Sequence, residues 1–320
     1  MLLDREKIDE AARHIRSGKL VAFPTETVYG LGANALDANA VARIFEMKER
    51  PSMDPLIVHI ADDTDLNRLT KSDDPRVLTL SEKFWPGPLT IVLPKSELVP
   101  DIVTSGLPTV GIRMPDNIWA LELIHASGCP IAAPSANKFG RVSPTKAEHV
   151  RKALPELDYI LDGGQTNIGI ESTIISLDDQ GFIILRPGFI TELDLLSVLP
   201  KSDNVTLASN PLAPGMLKSH YSPVKPLFLI EEDKSTDINK FNSALISYGS
   251  YKDEAYKRQI NLAKDGNLIN FAINMFDAIH QLEDDPDVEQ IHVLKVPENG
   301  IGIAIMDRLR KAAYAHQNKA

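Results

Sequence analysis

From Phe23 to Ile60 the chain reads FPTETVYGLGANALDANAVARIFEMKERPSMDPLIVHI, and no other stretch limits the possible fold as tightly. An apolar strand runs into the polar turn Thr25-Glu26-Thr27. A short helix follows, from Asp37 to about Met47. Asp37 is suited to cap it, and Val41, Ile44 and Phe45 recur at helical spacing on one face. Pro51 disfavours the α region for Arg50, so the helix should end near Lys48. If the chain is extended from there, Lys48 and Arg50 stand two apart and point the same way. Leu56 to Ile60 is then a buried strand carrying one odd residue, His59. Two cations, strand-end hydroxyls and a strand-borne imidazole together suggest a site for an anionic substrate.

Each feature also has an ordinary structural explanation. Cations at a helix C-terminus meet the macrodipole favourably. A histidine in an apolar strand is commonly a hydrogen-bonded core residue. Thr25 and Thr27 can satisfy the backbone groups of their own turn. Only the combination speaks for a site.

The rest of the chain extends the pattern. An amphipathic N-terminal helix (Ile8, Ala12 and Ile15 on one stripe) ends at Gly18, and Lys19 to Phe23 begins the first strand. Thr64 to Leu69 and Pro75 to Phe84 read as helices, and Trp85-Pro86-Gly87-Pro88 as a rigid turn into the strand Leu89 to Leu93. In Thr109-Val110-Gly111-Ile112-Arg113, alternation puts Arg113 on the face of Thr109 and Gly111. An arginine with a glycine beside it can grip a carboxylate or phosphate with both arms, though a surface arginine on an edge strand fits the spacing equally. Trp119 to Ala126 is a helix, and Pro130 to Asn137 is a short strand leading into Ser135-x-Asn137. Pro144 suits the first position of a helix, which makes Ser143 its expected N-cap. Tyr159 to Leu161 reads as a strand, and Ile170 to Ile175 with Phe182 to Arg186 as a hairpin. Strands with helices scattered among them indicate an α/β fold with a mixed sheet.

Between about Lys201 and Pro226 the chain changes character: Pro211, Pro214, Gly215, Pro223 and Pro226 give it linker composition, yet it carries His220 and Tyr221. Beyond it, strands at Leu227 to Ile230, Ala244 to Tyr248 and Ile291 to Val296 alternate with helices at Asn267 to Leu282 and about Ile301 to Ala315. This is a small Rossmann-like α/β unit. It has neither a dinucleotide glycine fingerprint nor a P-loop. The expected division is 1–200, a linker over 201–226, and 227–320.

With 34 basic and 44 acidic residues the net charge is −10, which argues against a general nucleic-acid coat. Cys129 is the one cysteine, so no intrachain disulfide or cysteine metal cluster is available. No apolar run approaches a membrane span, and the charged N-terminus is unlike a signal peptide. A cytoplasmic protein is expected.

FPTETVYGLG, the Lys48-x-Arg50 pair, PLIVHI, TVGIR, PSAN, the run at Glu171-Ser172-Thr173, LRPG and HYSP occur in this order. Together they resemble the YrdC-like domain of the threonylcarbamoyl-AMP synthases, and the proline-rich linker and tail resemble the two-domain members. The resemblance implies a twisted mixed sheet with flanking helices around a concave cleft. It implies an enzyme, a nucleotidyltransferase, that makes threonylcarbamoyl-AMP and pyrophosphate from L-threonine, bicarbonate and ATP with Mg2+. The product would pass to tRNA-modifying machinery that acts beside the anticodon; whether this chain touches tRNA stays open. By resemblance, threonine falls to Thr27, His59, Arg113, the backbone at Ala133, and Ser172. ATP falls to Lys48, Arg50, Asp54, Thr109, Ser135, Asn137, Ser143, Arg186 and Tyr221, with Lys48 and Arg50 supplying the charge that catalysis needs and Tyr221 letting the linker close as a lid. Two positions depart from the family pattern: Glu49 stands where Gly is frequent, and Asp54 where Asn is frequent. An ionised Asp54 cannot donate to a phosphate, so it would bind the magnesium of ATP or bond elsewhere.

Two other readings compete. An RNA-binding module on this fold is opposed by the overall charge. A carbamoyl-transfer domain acting on carbamoyl phosphate belongs to longer chains with acylphosphatase and zinc-finger segments, which this length and one cysteine exclude. The tail could also be a regulatory or partner-binding unit.

Overall fold

The computed structural model describes residues 3–204, 214–215, 220–232, 240 and 242–317. Pro211 and much of the expected linker lie outside the described residues. The first unit runs α1 (Arg5–Arg16), β1 (Val21–Pro24), β2 (Tyr29–Asn34), α2 (Ala38–Lys48), β3 (Ile57–His59), α3 (Asp63–Leu69), α4 (Pro75–Phe84) and β4 (Leu89–Pro94). It continues with α5 (Asp101–Thr104), β5 (Thr109–Arg113), α6 (Ile118–Ser127), β6 (Ile131–Ala132), α7 (Ala147–Ala153), β7 (Thr173–Leu177), β8 (Phe182–Arg186) and α8 (Glu192–Leu196). Its strands form one eight-stranded mixed sheet in the order β1-β2-β6-β3-β5-β4-β7-β8. The pairs β3–β5 and β4–β7 are parallel, while β1–β2, β2–β6, β3–β6, β4–β5 and β7–β8 are antiparallel.

Strand alternation divides the core between the two faces. Val21, Phe23 and Ile131 pack with Ile8 and Ile15 of α1 and Leu123 of α6. Ala22, Leu31 and Val58 belong to a second cluster with Ile44 of α2 and Leu80 of α4. The N-terminal helix forms as its stripe predicts: Ile8, Ala11, Ala12 and Ile15 are buried and Asp4 caps it. Full burial of Ile8 and Ile15 contributes about 1.5–3 kcal/mol each.

The second unit holds β9 (Leu227–Ile230), β10 (Ser243–Ser247), β11 (Arg258–Asn261), α9 (Leu268–Asp284), β12 (Gln290–Leu294) and α10 (Ile301–Gln317). Its sheet, ordered β11-β10-β12-β9, is parallel throughout, as a Rossmann-like unit requires. Its core is continuous with the first unit: Val28, Val142, Ile170 and Tyr221 pack with Phe271, Met275 and Phe276 of α9.

Several local expectations are corrected. Asp37 caps α2 as expected, but the chain does not leave it extended: Glu49 takes the left-handed conformation at φ 54°. Ser143 is not an N-cap, because α7 starts four residues later and has Lys146 at that position. Tyr159 to Leu161 forms no full strand and only bridges to Ala22. β2 and β11 were not anticipated. Among the described residues no helix is long and apolar enough to cross a membrane.

Candidate active site

Strands β3 and β5, and Ala133 just after β6, present side chains to one cavity. The register sets His59 opposite Arg113 on one side and Ile131 on the other. The cavity has ≈ 550 Å³ of empty volume.

The five residues expected to meet threonine converge here: Thr27, His59, Arg113, Ala133 and Ser172 all line the cavity. Arg113 Nη1 donates to Thr27 Oγ1 at 3.1 Å. Thr25 Oγ1 donates to Val28 O at 2.7 Å, so the Thr27 hydroxyl donates to Thr25 Oγ1 at 2.8 Å. Thr25 thus satisfies its turn, while Thr27 passes the order of that turn to the arginine. On its other arm, Arg113 Nη2 lies 2.6 Å from Glu26 Oε1, an ion pair without the angles of a hydrogen bond. Burial, and next the charge of Arg113, push the His59 imidazole down to about 3, so it is neutral near pH 7. Its Nδ1 has no hydrogen-bond partner, and the ring meets Phe23 edge to face at 5.9 Å.

Of the residues expected to meet ATP, Arg50, Ser135, Arg186 and Tyr221 line the same cavity. Arg186 is built into its wall, donating from Nε and Nη2 to Ser172 O at 3.2 and 2.9 Å and from Nη1 to Pro214 O at 3.2 Å. Tyr221 is buried, adopts φ 62° and stacks on Phe276 at 5.7 Å. Burial pushes its hydroxyl pKa up.

Four expected residues stand behind the wall. Lys48 Nζ donates to Ser135 O at 2.6 Å and to Asn137 O, tying the Ser135–Asn137 loop to the end of α2. Burial, then Arg50, hold its pKa well below the usual lysine range. Asn137 spends its amide on Lys138 O and Arg141 O at 3.1 and 2.8 Å. Ser143 donates to Glu171 Oε1 at 2.5 Å, the contact that replaces helix capping. Asp54 Oδ2 pairs with Arg50 Nη2 at 2.9 Å, both side chains almost wholly buried. Burial raises the Asp54 carboxyl and Arg50 opposes that rise. Thr109 is not brought to the cavity. It lines a neighbouring cleft with Thr90 and Gly111, on the far side of Ile57 and Pro214.

Local sequence did not single out Glu26, Glu171, His220 or Arg308 as site residues. The cavity is lined by Glu171 and His220 and is backed by Glu26 and Arg308. Glu26 and Glu171 lie inside quoted motifs, so their motif neighbours were the available signal. Arg308 has none. Among the described residues, no three or more His, Cys, Asp or Glu side chains are grouped to hold a metal ion.

The arrangement suits a ligand with a carboxylate near Arg113 and further negative charge between Arg50 and Arg186, which are fixed opposite small hydroxyl residues.

Residues 13–188 match the Sua5/YciO/YrdC family model, described as telomere recombination, and residues 190–314 match the model of the threonylcarbamoyl-AMP synthase C-terminal domain. A threonylcarbamoyl-AMP synthase of Pyrococcus abyssi is 42% identical over 97% of this chain and 96% of its own length. One from Bacillus subtilis is 43% identical over 96% and 93%. The crystal structure of P. abyssi Sua5 complexed with L-threonine superposes with a TM-score of 0.88 at 40% identity, covering 98% of this chain and 96% of that one. The Escherichia coli YciO structure, at 24% identity and TM-score 0.51, shares the fold over 58% of the chain. With both of its units matched and relatives aligned along nearly its whole length, the chain belongs to the threonylcarbamoyl-AMP synthase family.

Proposed function

We propose that this cavity binds L-threonine and ATP and joins them through bicarbonate or carbon dioxide, releasing L-threonylcarbamoyladenylate and pyrophosphate. The carrying observation is the convergence of Arg113, Arg50 and Arg186 on one cavity. Arg113 on β5 would take the carboxylate of threonine, with Thr27, His59, the Ala133 backbone and Ser172 around the amino acid. A relative of known structure is complexed with L-threonine, which supports this half of the reading.

The threonine amine captures carbon dioxide as a carbamate, giving up a proton. A carbamate oxygen then forms a bond to the α-phosphorus of ATP, and the bond to the pyrophosphate oxygen breaks. Arg50 and Arg186 would face the phosphates, with Ser135 beside them. Lys48, Asn137 and Ser143 would act from behind by fixing the loops that carry this face, a role their hydrogen bonds support. Positioning and charge neutralisation do most of the work. No residue is assigned as general base. Among the described residues no cluster is grouped to hold a metal ion and Asp54 pairs with Arg50; magnesium enters this reading with the nucleotide substrate. Tyr221 and His220 line the cavity from the segment after residue 201, which fits a lid role for that segment. In this reading residues 1–200 are the catalytic unit and 201–226 the lid, and the adenylate goes on to cytoplasmic tRNA-modifying machinery.

The test is mass spectrometry of the protein mixed with ATP, magnesium, threonine and bicarbonate. The adenylate should appear, and vanish when threonine is left out. ATP turnover indifferent to threonine, or salt-dependent RNA binding without turnover, would overturn the reading.

A further inference from the structure

We propose that Arg308, on α10 of the second unit, is a positioning residue of the cavity: it holds Glu171 away from the anionic substrate and seats Tyr221, making the second unit part of the catalytic site. The proposal rests on the reading that threonine and ATP bind here.

Glu171 is the sole carboxylate among the described residues lining a cavity that also holds Arg50, Arg113 and Arg186. Left to itself, it would repel a triphosphate and draw Arg186 towards it. Both its oxygens are engaged instead. Ser143 donates to Oε1 at 2.5 Å, and Arg308 Nε donates to Oε2 at 2.8 Å. Arg308 is fully buried, and its guanidinium lies 5.3 Å from the Tyr221 ring centroid. It is itself braced by Asp307, which accepts from Nη1 at 2.6 Å. One turn further on, Lys311 Nζ donates to Gly215 O at 2.8 Å. One helix of the second unit therefore secures three pieces of the cavity wall: Glu171, Gly215 and Tyr221.

Adhesion alone does not call for this arrangement. Val142 and Ile170 already pack on Phe271 and Phe276, and a buried ion pair adds little net adhesion over apolar contacts of the same volume. What the pair does supply is a neutralised carboxylate at a fixed place. Burial raises the Glu171 carboxyl, but Arg308 and then Arg186 outweigh it, so the group stays ionised and below its ordinary range.

The experiment uses the full chain as Arg308→Met, which keeps volume and removes the charge, and as the double variant Arg308→Met with Glu171→Gln. Kinetic constants for ATP and threonine are read from pyrophosphate release, and binding from calorimetry. The single variant should raise the KM for ATP by about 10- to 100-fold, more than it lowers kcat. The double variant should recover most of that loss, because no free carboxylate is left in the cavity. A purely structural role predicts the reverse: a smaller active fraction with unchanged KM, and a double variant no better than the single. Either result would overturn the proposal. Should the single variant fail to fold, Arg308→Lys and the double variant carry the test, and both should keep a KM near that of the wild type. If the wild type binds neither substrate, the underlying reading fails instead. A crystal structure of Arg308→Met then decides this point on its own: Glu171 turned towards Arg186 supports it, and Glu171 unmoved refutes it.

Discussion

Glu26 stands behind the cavity wall and faces Arg113 at 2.6 Å, both side chains almost completely buried. The protein thus carries a carboxylate of its own against the arginine expected to receive the carboxylate of the substrate. Removing one partner of such a buried pair is costly, about 3–5 kcal/mol. Glu26→Gln should therefore melt at a lower temperature than the wild type. Saturating threonine should raise its melting temperature by more than it raises that of the wild type, because the ligand restores the missing negative charge. Equal shifts in a thermal-melting assay would show that Arg113 does not receive threonine.

Lys48 holds Ser135 and Asn137 through their carbonyls and does not itself reach the cavity. Lys48→Met should release that loop and slow pyrophosphate release by about 10- to 100-fold. Threonine binding by calorimetry should change far less, since Arg113 and Thr27 hold the other end. Rates like the wild type would leave the lysine a packing residue only.

Asp54 occupies Arg50 from behind, and Arg50 also donates to Asp54 O and Pro55 O at 3.1 and 3.0 Å. With those carbonyls keeping the guanidinium in place, Asp54→Asn should fold and should lower the KM for ATP severalfold by freeing the charge on Arg50. An increase in KM would mean that the carboxylate orients Arg50 for the nucleotide.

His59 is neutral in the fold, with its pKa depressed from 6.5 to about 3, first by burial and then by Arg113. Its contribution to stability is whole above the unfolded value, and declines as pH falls from about 6.5, because the unfolded chain binds the proton first. At about pH 5 this amounts to roughly 2 kcal/mol. Chemical denaturation across that range should show the decline, and His59→Gln should flatten it. Equal slopes in both proteins would remove His59 as the cause.

Gly188, in LRPG, has no room for a side chain: an added Cβ would lie 2.5 Å from the Ser172 carbonyl carbon and 2.7 Å from Glu171 O. Gly188→Ala should cost about 1–3 kcal/mol by forcing that segment aside. Activity should fall with it, as Glu171 and Ser172 shift. Denaturation midpoints with pyrophosphate assays on the folded protein would measure both.

Elements with strong periodicity were readable in the chain, and those defined by their neighbours were not. α1 and α2 follow from apolar spacing, with Asp37 the expected cap of α2; the caps Asp4 of α1 and Asp74 of α4 are seen only in the structure. β2, reading YGLGAN, has glycines where a strand signal would have side chains. Its Gly32 is explained by Phe23 and Ile131, each 2.8 Å from where a Cβ would stand. β11, reading RQIN, is a polar edge strand with no alternation to detect. Ser143-Pro144 has the form of a helix start, and the tertiary contact to Glu171 overrides it. Motif residues such as Arg113 and Ser172 were found because they stand in recognisable runs, whereas Arg308 acquires its role only when α10 lies against Glu171.

The position of β3 between β6 and β5 has a further consequence. His59, Ala133 and Arg113 come from segments far apart along the chain and meet only once those central strands have paired. A piece that lacks any one of those strands cannot hold the three together, so threonine works as a reporter of sheet assembly: a population that binds it has its central strands in register.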